Sequence, residues 1–145
     1  MTIQTSRRTL LKSAAATSMA LVIGMRANGG FAAGPSVAHM NPFVSISDDG
    51  IVHVIIKHFE MGQGTTTGLA TLVAEELDAD WNRVAVHFAP ADNERYKNLF
   101  FGAQGTGGST AMANSYMQYR QAAAAARAVL VQAAAEVWNV PAAQI

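Results

Sequence analysis

The chain has 145 residues, with 10 lysines and arginines balanced by 10 aspartates and glutamates, and no cysteine. A formal charge of zero provides neither a basic field for nucleic acid nor an acidic run of the kind that keeps a tail disordered. Without cysteine, this chain forms no disulfide, offers no thiolate to a metal or iron–sulfur cluster and has no cysteine nucleophile.

Residues 1–34 read as a targeting segment and linker and are set apart from the fold. Their apolar run, Ser13 to Met25, is shorter than the roughly 20 residues that span a bilayer. Ser6-Arg7-Arg8-Thr9-Leu10-Leu11-Lys12 resembles a twin-arginine export signal, with Ala32 as a site of cleavage. That resemblance implies the twin-arginine export machinery as a partner and a periplasmic location, free or held at the membrane. Gly29 to Met40 has no periodicity and reads as a flexible lead.

The ordered unit is expected over residues 42–145. Phe43-Val44-Ser45-Ile46 and Ile51 to Ile56 flank Ser47-Asp48-Asp49-Gly50, a hairpin signal with glycine at the left-handed position. Val54-Ile55-Ile56 is apolar on both faces, so the second strand is expected inside a sheet. His53 reads as a surface residue and His58 as a satisfied strand-end histidine.

Phe59-Glu60-Met61-Gly62-Gln63-Gly64-Thr65-Thr66-Thr67 then joins this strand to a helical pattern. Gly62 and Gly64 let the backbone turn and approach a ligand closely. The threonines stand at a helix start, where free N–H groups attract anions. Leu69, Leu72, Val73 and Leu77 share one face of that helix, while Glu75, Glu76 and Asp78 read as a solvated side. Val84, Val86 and Phe88 alternate with Ala85, His87 and Ala89 as a strand, with His87 on the surface, and Pro90-Ala91-Asp92-Asn93 ends it. Strand, loop, helix and strand together suggest a right-handed crossover.

A second glycine loop, Gln104-Gly105-Thr106-Gly107-Gly108-Ser109-Thr110, precedes a long helix that Ser109 or Thr110 could cap. Met112, Tyr116, Tyr119, Ala123, Ala126, Leu130, Ala133 and Val137 step along one expected core face, and Asn139-Val140-Pro141 ends it. The expected fold class is α/β of mixed α+β character, a hairpin and sheet packed with helices.

In this order, Phe59 to Gly64, Leu72 to Leu77, Ala89 to Asp92 and Gln104 to Thr110 resemble the molybdopterin-binding large subunit of the xanthine oxidase family. The branch they look like is the beta subunit of isoquinoline 1-oxidoreductase or aldehyde dehydrogenase. The resemblance implies the N-terminal part of a larger domain, continuing beyond Ile145. It also implies a molybdenum–molybdopterin cofactor in cytosine dinucleotide form and a separate small subunit carrying iron–sulfur clusters. An aldehyde or N-heterocycle would be the substrate, with water supplying the oxygen. By the same resemblance Gln63 matches the glutamine that hydrogen-bonds an oxo ligand on molybdenum, and Gly62, Gly64 and Thr65 line the cofactor beside it. Gln104, Gly105, Thr106, Gly107, Gly108 and Ser109 match the loop against the pterin and its dinucleotide tail. No residue here matches the family's catalytic glutamate, and no metal ligand is assigned.

Two other readings stay open on the residues alone. Gly62-x-Gly64-x-x-x-Gly68 lies near a nicotinamide-dinucleotide fingerprint, with Asp92 as the ribose-binding acid. Phe59 to Met61 and the extra residue of spacing count against it. A non-catalytic periplasmic binding module would explain the missing base but not two glutamine-bearing loops.

Overall fold

A computed structural model describes residues 37–145, and residues 1–34, read above as a targeting signal, lie outside them. Four strands form one mixed sheet in the order β1-β2-β3-β4. β1 is Val37–Asn41, β2 Val44–Ser47, β3 Val52–Ile56 and β4 Val84–Phe88. β1 pairs antiparallel with β2, β2 antiparallel with β3, and β3 parallel with β4. The hairpin closes as its residues require: Gly50 takes φ 81° and donates to the Ser47 carbonyl at 2.8 Å. β3 lies between β2 and β4, as its continuous apolar run predicts.

The first strand is a correction: Val37 to Met40, expected in a flexible lead, belong to the sheet. Pairing with the open edge of β2 orders them, and the Asn41 side chain fixes the turn between the two strands. Its Oδ1 accepts from the Phe43 and Val44 amides, each at 3.0 Å, and its Nδ2 donates to the Ala122 carbonyl at 2.9 Å. Long-range pairing of this kind leaves no local periodicity to read.

Helix α1 spans Thr65–Leu77, a short turn α2 spans Asn93–Tyr96, and helix α3 spans Ala111–Trp138. α1 packs on α3 and on β3. The core joins Val44, Val54 and Ile56 of the sheet to Leu69 and Val73 of α1 and to Tyr119 and Ala123 of α3. Phe43 sits between two tyrosines, 4.7 Å from the Tyr119 ring and 5.9 Å from Tyr96 in an edge-on contact. Small residues set the helix spacing: a Cβ on Gly68 would lie 2.9 Å from the Met112 side chain.

The core face of α3 is rotated from the expected stripe at both ends. Ala111, Ser115, Tyr119, Ala123, Ala126 and Ala134 are buried, whereas Tyr116 and Val137 are exposed. The polar pair Asn114 and Ser115 faces inward because buried β3-end groups need partners there, a demand that apolar periodicity does not register. Tyr116 instead lies under the Arg120 guanidinium, 5.5 Å from its ring. Glu76 is half-buried and accepts from the Arg120 Nε at 2.5 Å, so the side expected to be solvated holds an interhelical ion pair. On β4, Val86 and Phe88 pair in register with Val54 and Ile56 yet remain exposed. Helix α1 reaches β4 but leaves these two side chains uncovered.

Candidate functional site

Both glycine loops converge at the C-terminal end of β3. The Phe59 amide donates to the Thr106 hydroxyl at 2.9 Å, which joins the first loop directly to the second. His58 makes the second tie from beneath: its Nδ1 lies 3.2 Å from the Gly105 carbonyl and its Nε2 2.9 Å from the Ser115 hydroxyl. His58 is buried, and burial pushes its imidazole below the usual histidine value. It is a satisfied strand-end histidine, as its sequence context suggests.

The first loop is held by Glu60, a role that no motif announces. The carboxylate accepts five hydrogen bonds from the loop that follows it. Its Oε1 takes the amides of Gly62 at 2.8 Å and Gly64 at 2.9 Å. Its Oε2 takes the Thr66 amide at 3.0 Å and the hydroxyls of Thr66 at 2.9 Å and Thr65 at 3.3 Å. These bonds hold the carboxyl down at about 2. Gly64, at φ 80°, is the cap residue of α1 and has no side chain, so Glu60 supplies the missing acceptor from outside the helix. Gly62, at φ 93°, completes the turn.

Gln63 is exposed in the same loop. Its Oε1 accepts from the Met61 amide at 2.6 Å, and its Nε2 donates to the Phe59 carbonyl at 2.5 Å. Its Nε2 also donates to Thr65 Oγ1 at 3.3 Å, so both ends of the amide are engaged within the loop.

The second loop is tied down through side chains and carbonyls. Gln104 bridges to the turn after β4, its Oε1 accepting from the Asp92 amide at 2.9 Å and its Nε2 donating to the Pro90 carbonyl at 3.0 Å. Gly105, Thr106, Gly107, Gly108 and Ser109 then run to the start of α3, with Gly108 at φ 59° and Ser109 at φ 53°. Thr110 stands at the cap position, yet its hydroxyl donates to the Gly107 carbonyl at 2.8 Å and accepts from Asn98 Nδ2 at 2.7 Å. It therefore does not cap the helix, contrary to the expectation for Ser109 or Thr110. A Cβ at Gly107 would meet nothing within 4 Å, so the loop fronts open space.

Sequence reasoning missed Lys57. It follows the apolar strand directly and is buried. Its Nζ donates to the Lys97 carbonyl at 3.1 Å, to Asn114 Oδ1 at 2.9 Å and to Gln118 Oε1 at 2.6 Å. Burial lowers its ammonium to about 8. A lysine closing an apolar run was the available signal. The geometry counts against the dinucleotide reading. Asp92 caps α2 by accepting from the Glu94 and Arg95 amides, each at 3.1 Å, and is not presented to a ribose.

Comparisons with known proteins agree with the sequence resemblance. A family model described as a molybdopterin cofactor-binding domain matches residues 4–145. The beta subunit of an isoquinoline 1-oxidoreductase from Brevundimonas diminuta is 41% identical over 99% of this chain and 19% of its own length. A nicotinate dehydrogenase subunit from Pseudomonas putida is 42% identical over 64% of this chain and 7% of its own length. A membrane-bound aldehyde dehydrogenase (pyrroloquinoline-quinone) of Gluconacetobacter polyoxogenes is 36% identical over 64% of the chain and 11% of its own length. The chain thus spans about a fifth or less of the length of the curated relatives it matches. With its glycine loops joined at the end of one strand and a family match that runs through both, the chain belongs to the molybdopterin cofactor-binding domain family, within the xanthine oxidase group.

Proposed function

We propose that residues 42–145 form one wall of the cofactor site of a molybdenum hydroxylase acting on aldehydes or N-heterocycles. The observation that carries this reading is the junction of the two loops, Phe59 to Thr106 at 2.9 Å, in a chain of this family. The residues fit the group. The second loop offers Gly105 to Ser109 at the start of a 28-residue helix, where a dinucleotide phosphate is favoured. The open space at Gly107 leaves room for it. When bound, the cofactor supplies the two-electron chemistry of molybdenum. This chain's part is to hold and orient: Gln63 stands in the first loop with its amide bonded to Met61, Phe59 and Thr65, where the family resemblance puts it beside the cofactor, and Gln104 and His58 keep the second loop in place.

The cytosine dinucleotide form, an iron–sulfur subunit as electron acceptor and a catalytic base outside these 145 residues complete the proposal. A carboxyl held near 2 is a weak base, which supports looking beyond Glu60 for that role. Residues 1–34 are proposed as a twin-arginine signal that sends the folded protein to the periplasm.

The test uses the full-length enzyme, produced with its partner subunits in cells that make the cofactor. Gly107→Leu places a side chain in the open space, where a Cβ meets nothing within 4 Å. Molybdenum by elemental analysis and pterin by fluorescence are expected to fall together, with an unchanged melting temperature. Full cofactor content in this variant would remove the second loop from the site.

A further inference from the structure

The first loop has the form of an anion site: a left-handed glycine turn, a helix start and a cluster of hydroxyls. Five of its donors, however, are already taken. The amides of Gly62, Gly64 and Thr66 and the hydroxyls of Thr65 and Thr66 all converge on the two oxygens of Glu60. We propose that Glu60 is the built-in anion and positioning residue of this loop, closing it to phosphate and fixing the turn that carries Gln63.

Three features support this. The carboxylate reaches donors on both sides of the turn, from Gly62 to Thr66, so it sets the backbone path between them. Gln63 lies within that span, and its amide bonds to Met61 and Phe59 depend on the same path. The carboxyl is held far below its ordinary 4.5, at about 2, so the internal anion stays charged under any ordinary condition. A second anion would meet a like charge, and the five donors that converge there are already engaged by Glu60. Closure of the nest rests on this geometry alone. One consequence rests on the proposed function: the cofactor's phosphates go to the second loop and not to the first.

The test is hydrogen–deuterium exchange of the peptide around Phe59 to Thr67 in the full-length protein, with and without millimolar inorganic phosphate. The wild-type peptide is expected to be protected and indifferent to phosphate. Glu60→Ala should exchange about tenfold faster, as expected when a cap is lost, and phosphate should restore protection by filling the vacated nest. Glu60→Gln should also exchange faster, because its amide nitrogen faces N–H donors, but phosphate should not rescue it, since the side chain still blocks the nest. A residue that merely packed would give no difference in rescue between alanine and glutamine. Should Glu60→Ala fail to fold, the wild-type and Glu60→Gln measurements still decide. Phosphate protection of the wild-type loop, or wild-type exchange in Glu60→Gln, would overturn the inference. None of these readouts requires molybdenum, so the outcome is separate from that of the Gly107→Leu experiment.

Discussion

Lys57 carries an ammonium into the core with three neutral oxygens around it. Its folded value, about 8, lies below the ordinary 10.5, so between the two the unfolded chain holds a proton that the folded chain has released. Stability from this group therefore rises with pH across that window and is lost as pH falls through 8. Tyr119 acts in the opposite sense at high pH, because burial raises its phenol above the ordinary 10.0. The measurement that isolates Lys57 is the melting temperature of wild type minus that of Lys57→Met, which should increase from pH 8 to pH 10. A flat difference would mean that the lysine titrates normally. Tyr119 itself is expected to matter more to the fold. Its hydroxyl donates to the Ile55 carbonyl at 2.6 Å and accepts from the Lys57 amide at 3.0 Å. Tyr119→Phe leaves both without that partner and should cost about 1–3 kcal/mol by denaturant unfolding. Gln63 belongs to the other class. It is exposed, so Gln63→Ala in the full-length enzyme should reduce turnover while cofactor content and melting temperature hold. A loss of several kcal/mol, as for a core truncation, would assign it to the fold instead.

At the scale of elements, the contact between α1 and α3 depends on small side chains. Ala123 is fully buried and Ala126 nearly so. Ala123→Leu should destabilise by about 1–3 kcal/mol through overpacking. An unchanged denaturation midpoint would show that the helices are free to separate. The apolar stripe of α1 was legible because Leu69 and Val73 recur at helical spacing over a helix with one covered side. That of α3 was less so. Alanines fill the middle of α3 on every side, from Ala122 to Ala126, and periodicity within a uniform run has no phase. The phase is set instead by Tyr119, Asn114 and Ser115, which meet β3-end groups more than 50 residues away in sequence.

At the scale of the whole molecule, large apolar side chains crowd the outer side of the loops. Phe59 and Met61 are each 70% exposed, Phe100 66% and Phe88 54%. The rings of Phe59 and Phe88 lie 6.4 Å apart across the gap between the first loop and β4. A patch of this kind marks a surface made to be covered. The 145 residues alone are therefore expected to bind a hydrophobic dye, to hold molybdenum weakly or not at all and to show no turnover with aldehydes or N-heterocycles. Near-stoichiometric molybdenum with dye reduction in that preparation would refute the single-wall reading. Export is tested separately. A reporter fused to residues 1–34 should reach the periplasm, and replacing Arg7 and Arg8 by lysine should strand it in the cytoplasm.

The sequence by itself determined the hairpin, the parallel return to β4, the two glycine loops and the family. Each of these is carried by residues close together in the chain: Asp49-Gly50 at a turn, an apolar run, glycines before a helix. What the first loop does with its amides was decided only in three dimensions. Glu60, Gly62 and Thr66 are neighbours in sequence, but whether a carboxylate turns inward or faces solvent depends on where five donors point once the chain has folded. The same holds for Lys57, whose surroundings come from α3 and the carbonyl of Lys97. It holds too for β1, ordered by a neighbour's open edge. Local pattern encodes turns and faces, whereas the partner of a buried polar group is set by which distant segment packs against it.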